Sequence, residues 1–375
     1  MNILFIGPYR QDDGWGVAAQ NYIRALQTTP HNLAIRPIYM GSSYCETPPD
    51  IFELEYKSFA SYDAVIYNVL PHLLTYDGRL GQNIGLFHTE TNNLLYTSWI
   101  DRISLIDRGW VPSKASFNNI YFSFKIPTPI DIIPIPIDEQ LFTRSYEPLQ
   151  INDTKDTFNF YTIVDFNKRK NLHDLVVAFN TEFDPNEPVN LIIKIHQHGM
   201  TAAQLSQQIQ SFLYNIKKNL RLYPNIEDYK QEIIIPNKIT DEEMLRLHNT
   251  FDCYINVSYG ESFNIPTLYA MGFGKTPIVT AKTGMCDIVS ENEGWVVRSQ
   301  KEVVYMENPP LYDLYTGREL WQSVNTHDLK QKMRLAYRDN TLRKILIKNG
   351  REKIHKFSYE RVGQTMNKVL TCQAQ

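Results

Sequence analysis

The sequence predicts an α/β protein made of two successive doubly wound halves, each a parallel sheet flanked by helices. Three observations lead there. Short apolar runs rich in β-branched and aromatic residues alternate with stretches of helical period, the pattern of strands joined through crossover helices. The alternation lapses over a proline- and acid-bearing stretch, about residues 134–156, and then starts again. At 375 residues the chain also exceeds one ordinary core, given roughly 150 residues per domain.

In the first half, residues 2–6 are a buried-strand run, followed by a glycine-bearing loop and a helix expected over about 17–27. Strands are expected at 33–40, 62–69 and 83–87, where β-branched and aromatic residues concentrate. Residues 106–111 run into Pro112-Ser113. Ser113 suits a helix N-cap, because a hydroxyl there accepts from an orphan N–H of the first turn. The second half restarts with a strand at 158–164, a helix at 171–180, a strand at 189–195 and a helix at 204–218. A short strand at 233–236 and a helix at 241–248 follow, and strands at 253–257 and 277–280 bracket a helix near 266–273. Residues 301–321 lack a clear period and read as an inserted loop; residues 328 to about 370 read as helical. The expected division is 1–150, 151–352 and a terminal helix within 353–375.

Composition removes several function classes. A chain 43% hydrophobic and 21% charged is globular. No apolar run nears the ~20 residues of a membrane span. The N-terminal run reads as a strand and not as a signal peptide. Cys45, Cys253, Cys286 and Cys372 are scattered without CxxC spacing, which excludes a zinc ribbon and fits reduced, cytoplasmic thiols. Net charge is −3; residues 1–150 hold 10 Lys/Arg against 15 Asp/Glu, and the remainder 28 against 26. No basic face is visible at domain scale, so neither nucleic acid nor peripheral membrane contact is expected as the main partner.

Three stretches carry chemistry. Gly14-Trp15-Gly16-Val17-Ala18-Ala19 matches GxGxxA, but the loop before it is too long for the dinucleotide turn and no acid closes the second strand. What remains is a helix start whose N–H groups can approach a phosphate, or a plain surface turn. Lys168-Arg169-Lys170-Asn171 follows the first strand of the second half, placing cations where α/β sheets bind ligands; elsewhere such a cluster would be a solvated face. In 258–279 a strand ends, a loop holds Glu261, Pro266 takes a first helical position and another strand follows. A carboxylate beside backbone donors can accept sugar hydroxyls while the donors meet phosphate; the plainer reading is a helix-capping acid.

That last block resembles the signature of retaining family-4 glycosyltransferases: an acid, a small loop, Ile265-Pro266, Ala270-Met271, Gly274 and Pro277-Ile278. Phe87-His88-Thr89-Glu90, Trp110-Val111-Pro112-Ser113, Ile133 to Asp138, Arg169-Lys170-Asn171 and Phe357-Ser358 fall in the family's order, over nearly the whole chain except 301–321. The resemblance implies the GT-B fold: two Rossmann-like domains facing a cleft, with the C-terminal helix crossing back to the first. It implies catalytic roles for His88, near the reacting sugar, and for Glu261, on donor-sugar hydroxyls. Donor contacts are implied for Gly14, Gly16, Arg169, Lys170 and Tyr269, and for Ser262, Phe263, Asn264 and Ile265 through the loop beside Glu261. Trp15 and Glu90 are candidates on the acceptor side.

One departure stands out. The family's second acid falls eight positions after the first, and Tyr269 occupies that place. A phenol still bonds a hydroxyl, as a neutral group with different reach. The expected activity is retaining transfer of a hexose from a nucleotide sugar, UDP-linked in preference to GDP-linked, to a carbohydrate or other hydroxyl acceptor. No strict Asp-x-Asp occurs, and no cofactor or metal is expected beyond that co-substrate. The alternatives are a non-catalytic sugar-nucleotide-binding relative, an NAD-dependent dehydrogenase, and a transferase acting on modified nucleic acid. Linkage, acceptor identity and oligomeric state are not legible here.

Overall fold

The computed structural model describes residues 1–41, 44–123, 126–152, 154–306 and 315–372. The first half comprises β1 (Asn2–Gly7), α1 (Gly14–Gln27), β2 (Asn32–Pro37), β3 (Ala64–Asn68), β4 (Gln82–Leu86), α2 (Trp99–Ile103), β5 (Arg108–Val111), α3 (Lys114–Tyr121) and β6 (Ile130–Ile132). The second begins with β7 (Phe158–Asp165), α4 (Leu172–Glu182), β8 (Val189–His196), α5 (Ala202–Leu220), β9 (Ile233–Ile235), α6 (Asp241–Thr250) and β10 (Cys253–Asn256). It continues with α7 (Ile265–Gly272), β11 (Thr276–Thr280), α8 (Met285–Ile288), β12 (Trp295–Val297), β13 (Ser299–Val303) and β14 (Leu320–Val324). Three helices close the chain: α9 (Thr326–Arg338), α10 (Asn340–Ile354) and α11 (Tyr359–Thr371).

Two six-stranded sheets result, ordered β2-β1-β3-β4-β5-β6 and β12-β11-β10-β7-β8-β9, every neighbour parallel. Chain order reverses between β1 and β3 in one sheet and between β7 and β10 in the other, the crevices where α/β sheets take ligands. Ser113 caps α3 as expected, accepting from Ser116 N–H at 3.1 Å. The terminal helix returns to the first half: Val362, Met366 and Leu370 of α11 share a core with Tyr22, Ile23 and Leu26 of α1, and Gly363 lies against the Ala25 carbonyl. Apolar burial of that extent, at roughly 25 cal/mol per Å², fastens the two ends of the chain together.

Several expectations are corrected. Residues 301–321 are not simply a loop. Ser299–Val303 and Leu320–Val324 pair as an antiparallel hairpin, while 307–314 of the expected insertion lie outside the described residues, as does Asp153 of the expected linker. β6 and β12, three residues each, were too short to show a period. Lys168–Lys170 form a 3-10 turn and do not begin the helix; α4 starts after Asn171, which takes a left-handed φ of 53° and caps it.

Candidate active site between the two sheets

The loops after β7 and β10 meet at the crossover point of the second sheet. Lys170 Nζ lies 2.7 Å from Glu261 Oε1, and Arg169 Nη1 donates to the Gly260 carbonyl at 2.7 Å while standing 3.5 Å from the same carboxylate oxygen. Tyr259 N–H donates to the Arg169 carbonyl at 2.8 Å, tying the two loops at backbone level as well. Glu261 is 8% exposed. Burial alone would raise its carboxyl, but the Lys170 and Arg169 charges, with hydrogen bonds from Lys170 and Ser258, reverse this and hold it at about 2. Burial works against the Arg169 charge too; Glu90 and Glu261 outweigh it and move the guanidinium further up.

Glycines make this approach feasible. A Cβ on Gly284 would lie 2.0 Å from the Ser262 carbonyl oxygen, and one on Gly260 would lie 2.0 Å from the Glu90 carbonyl oxygen. Both contacts are backbone, which cannot step aside, so only glycine fits. Asn264 turns the chain into α7 at a φ of 98°; its side chain accepts from Thr267 N–H at 3.0 Å and from the Tyr254 hydroxyl at 3.3 Å. Among the described residues no group accepts from the backbone N–H groups of Phe263, Asn264 or Ile265. Their side chains serve elsewhere: Phe263 is fully buried against Phe357, and Ile265 lies in the same core. Three such donors lead into a helix start within four residues of the carboxylate that Lys170 and Arg169 meet, an arrangement whose partial positive charge favours an anion.

The first half supplies the opposite wall. His88, two residues after β4, is 8% exposed and its Nδ1 lies 3.2 Å from the Ser262 hydroxyl. Burial holds its imidazole down at about 4, neutral at ordinary pH. The half-buried Trp15 ring meets His88 edge-on, centroids 4.6 Å apart. Glu90 Oε2 pairs with Arg169 Nε at 2.9 Å. Burial raises the Glu90 carboxyl, and the charge of Arg169 offsets this only in part. Thus His88, Trp15, Glu90, Arg169, Lys170, Glu261 and Ser262 are brought together.

Two expected contributors sit differently. At α1, Asp13 caps the helix, its Oδ1 accepting from Trp15 N–H at 2.8 Å and Gly16 N–H at 3.1 Å. Gly16 is needed because a Cβ there would meet the Gln11 carbonyl oxygen at 1.7 Å; Gly14 has nothing within 4 Å. Tyr269 packs against Phe142 and His248, with centroids 5.9 Å apart in each case, and burial pushes its phenol up to about 12. Those contacts join α7 to α6 and to the turn at 139–143; none is with Lys170, Arg169 or Glu261.

Sequence reasoning passed over Asp13 and the β13–β14 hairpin. Asp13 had a signal, an Asp just before a helix start. The hairpin had little: its strands are separated by a long connection. Yet it braces the site. Leu320 exchanges backbone hydrogen bonds of 2.7 and 3.0 Å with Asn92, the Asn93 side chain donates to the Arg318 carbonyl at 2.8 Å, and Trp321 stacks on Tyr259 at 4.6 Å. Lys238 reaches Asp12, and Asp287 accepts from Lys114 N–H, so further contacts join the halves.

This architecture is the GT-B fold, and solved structures match it over the full chain. Anabaena HepE in complex with UDP and glucose superposes with a TM-score of 0.67 at 12% identity, covering 99% of each chain. Trehalose-6-phosphate synthase OtsA gives 0.70 at 9% over 100% of each, and sucrose-phosphate synthase from Thermosynechococcus elongatus gives 0.64 at 14% over 98% of each. Identities this low establish likeness of fold. No family model and no curated protein matches the chain.

Proposed function

We propose that the chain is a retaining, metal-independent glycosyltransferase that moves a hexose from a nucleotide sugar, UDP-linked by preference, to a carbohydrate or other small hydroxyl acceptor. One observation carries the reading: Glu261 is held ionised by Lys170 at 2.7 Å, next to Arg169 and the open N–H groups at the start of α7. A nucleotide sugar has the matching parts, an anionic diphosphate beside a ring of hydroxyls. The HepE structure that this fold resembles contains UDP and glucose, which supports the preference for a UDP-linked donor.

In this reading the diphosphate binds Lys170, Arg169 and the α7 start, and Glu261 accepts from donor-sugar hydroxyls. The bond from the anomeric carbon to the phosphate oxygen breaks as the acceptor oxygen attacks from the same face. The acceptor proton passes to the departing phosphate. Lys170, Arg169 and the helix start stabilise the charge that builds on that leaving group, most strongly in the transition state. His88, neutral and fixed by Ser262, faces the reacting sugar, and Trp15 borders the acceptor side. We assign Tyr269 to packing between α1, α6 and α7.

A thermal-shift panel of nucleotide sugars is the first test, because a matching donor raises the melting temperature by ligand linkage. UDP-sugars should shift it more than GDP-sugars. Transfer should then proceed at unchanged initial rate in chelator, with the anomeric configuration of the product the same as in the donor by NMR. No shift with any nucleotide sugar would refute the reading; a chelator-sensitive rate or an inverted product would refute the mechanism.

A further inference from the structure

Glu90 and Arg169 come from different halves of the molecule and form a 2.9 Å ion pair, with Glu261 3.5 Å from the same guanidinium. The Arg169 side chain is 14% exposed and that of Glu90 28% exposed, so one side of the pair is open to the cleft. The Glu90 loop does not reach Arg169 by chance. Its next residues are pinned to the β13–β14 hairpin through Asn92 and Asn93, and its carbonyl abuts Gly260. Both cations at the Glu261 carboxylate thus already face an acid, Lys170 facing Glu261 and Arg169 facing Glu90, while the third of the cluster, Lys168, lies over the Tyr305 ring. Glu261 has work to do on sugar hydroxyls once Lys170 turns to phosphate. Glu90 has no such second partner among the described residues.

We propose that Glu90 is a place-holder for the donor diphosphate, occupying Arg169 across the cleft until the anion displaces it. The inference rests on the nucleotide-sugar reading and adds to it a positioning residue that works against donor affinity. The physical reason is competition for one guanidinium. A diphosphate brought to Arg169 must separate the Glu90 pair and then sit near an uncompensated carboxylate, an unfavourable like-charge contact in a site of reduced dielectric. In return, a buried guanidinium that meets Glu261 only at 3.5 Å gains a close carboxylate partner while the cleft is empty.

The sign of the affinity change separates this role from a merely structural one. If Glu90 only shaped Arg169 for binding, removing it would weaken nucleotide. As a place-holder, its removal tightens nucleotide. The experiment is calorimetric titration of UDP, and separately of inorganic pyrophosphate, into the unaltered protein and into Glu90→Gln, Glu90→Ala, Glu90→Asp and Arg169→Gln, each checked for a cooperative melt. Glu90→Gln and Glu90→Ala should bind both ligands about tenfold more tightly, Glu90→Asp should stay within about twofold of the parent, and Arg169→Gln should bind about tenfold or more weakly. The partial exposure of Glu90 makes it tolerant of substitution, and either folded charge-removing variant decides the question. Unchanged or weaker binding in those variants would overturn the place-holder while leaving the donor reading intact. Failure of the unaltered protein to bind UDP at all would overturn both.

Discussion

Two helix starts face the cleft, the glycine-bearing α1 from the first sheet and α7, reached through the Gly260 loop, from the second, and they differ in who caps them. At α1 the first-turn N–H groups of Trp15 and Gly16 are spent on the carboxylate of Asp13, two and three residues away. At α7 the cap is the Asn264 amide, which accepts from Thr267 N–H, and the N–H groups of Phe263, Asn264 and Ile265 have no acceptor among the described residues. Each start carries the partial positive charge of its helix, but α1 has already neutralised it with its own anion. The lesson is that a glycine pattern reports how closely backbone can be approached; the residue at the cap decides whether anything else can bind there.

The comparison breaks most visibly at Lys170. Lys170→Met should lower transfer by roughly 10²–10³-fold, the size of a lost transition-state charge contact, as read by initial rates at saturating donor. Asp13→Ala at α1 should change the same rate by less than about tenfold, since no phosphate contact is placed there. Similar losses in both would erase the distinction.

Glycine substitutions sharpen it next. Gly284→Ala presses a methyl onto the Ser262 carbonyl behind the α7 loop and should cost about 3 kcal/mol or more in a urea melt. Gly16→Ala, pressed on Gln11, should cost a similar amount, whereas Gly14→Ala, with open space around it, should stay within about 0.5 kcal/mol. A matching loss at Gly14 would mean that α1 is built differently from this description.

His88 ties the first half to the α7 loop through Ser262, and its burial gives that tie a pH signature. The imidazole sits at about 4 in the folded chain against an ordinary 6.5. Between those values the unfolded chain takes up a proton that the folded chain refuses, so stability falls as pH drops from 6.5 towards 4. His88→Gln should flatten that window, removing roughly 2 kcal/mol of pH-dependent loss in melts compared at pH 7 and pH 4.5. The α1 cap is worth less than His88: Asp13→Ala should lower stability by about 1 kcal/mol, the usual worth of an N-cap.

The sheets were legible because their strands are near-continuous apolar runs buried on both faces, as at 189–195 and 253–257, and because helices with clear period separate them. β6 and β12 were not, since three residues carry no period and neither offers the unbroken isoleucine run that marks the equally short β9. The hairpin was hidden because its antiparallel partners, Ser299–Val303 and Leu320–Val324, are far apart in sequence. In the site, Lys170, Glu261 and His88 were readable because charge or imidazole followed a strand end. The Glu90–Arg169 pair was not, because it joins two halves whose relative placement no local pattern records. The cap at Asp13 is legible as an acid directly before a helix start.

The most direct measurement is a crystal structure of the protein soaked with UDP-glucose. Diphosphate oxygens should lie within about 3 Å of Lys170 Nζ and of the N–H groups at the start of α7, with glucose hydroxyls on Glu261 and Asp13 still capping α1. A diphosphate seated instead on the N–H groups of Trp15 and Gly16, with Asp13 swung away and Lys170 still paired to Glu261, would contradict it.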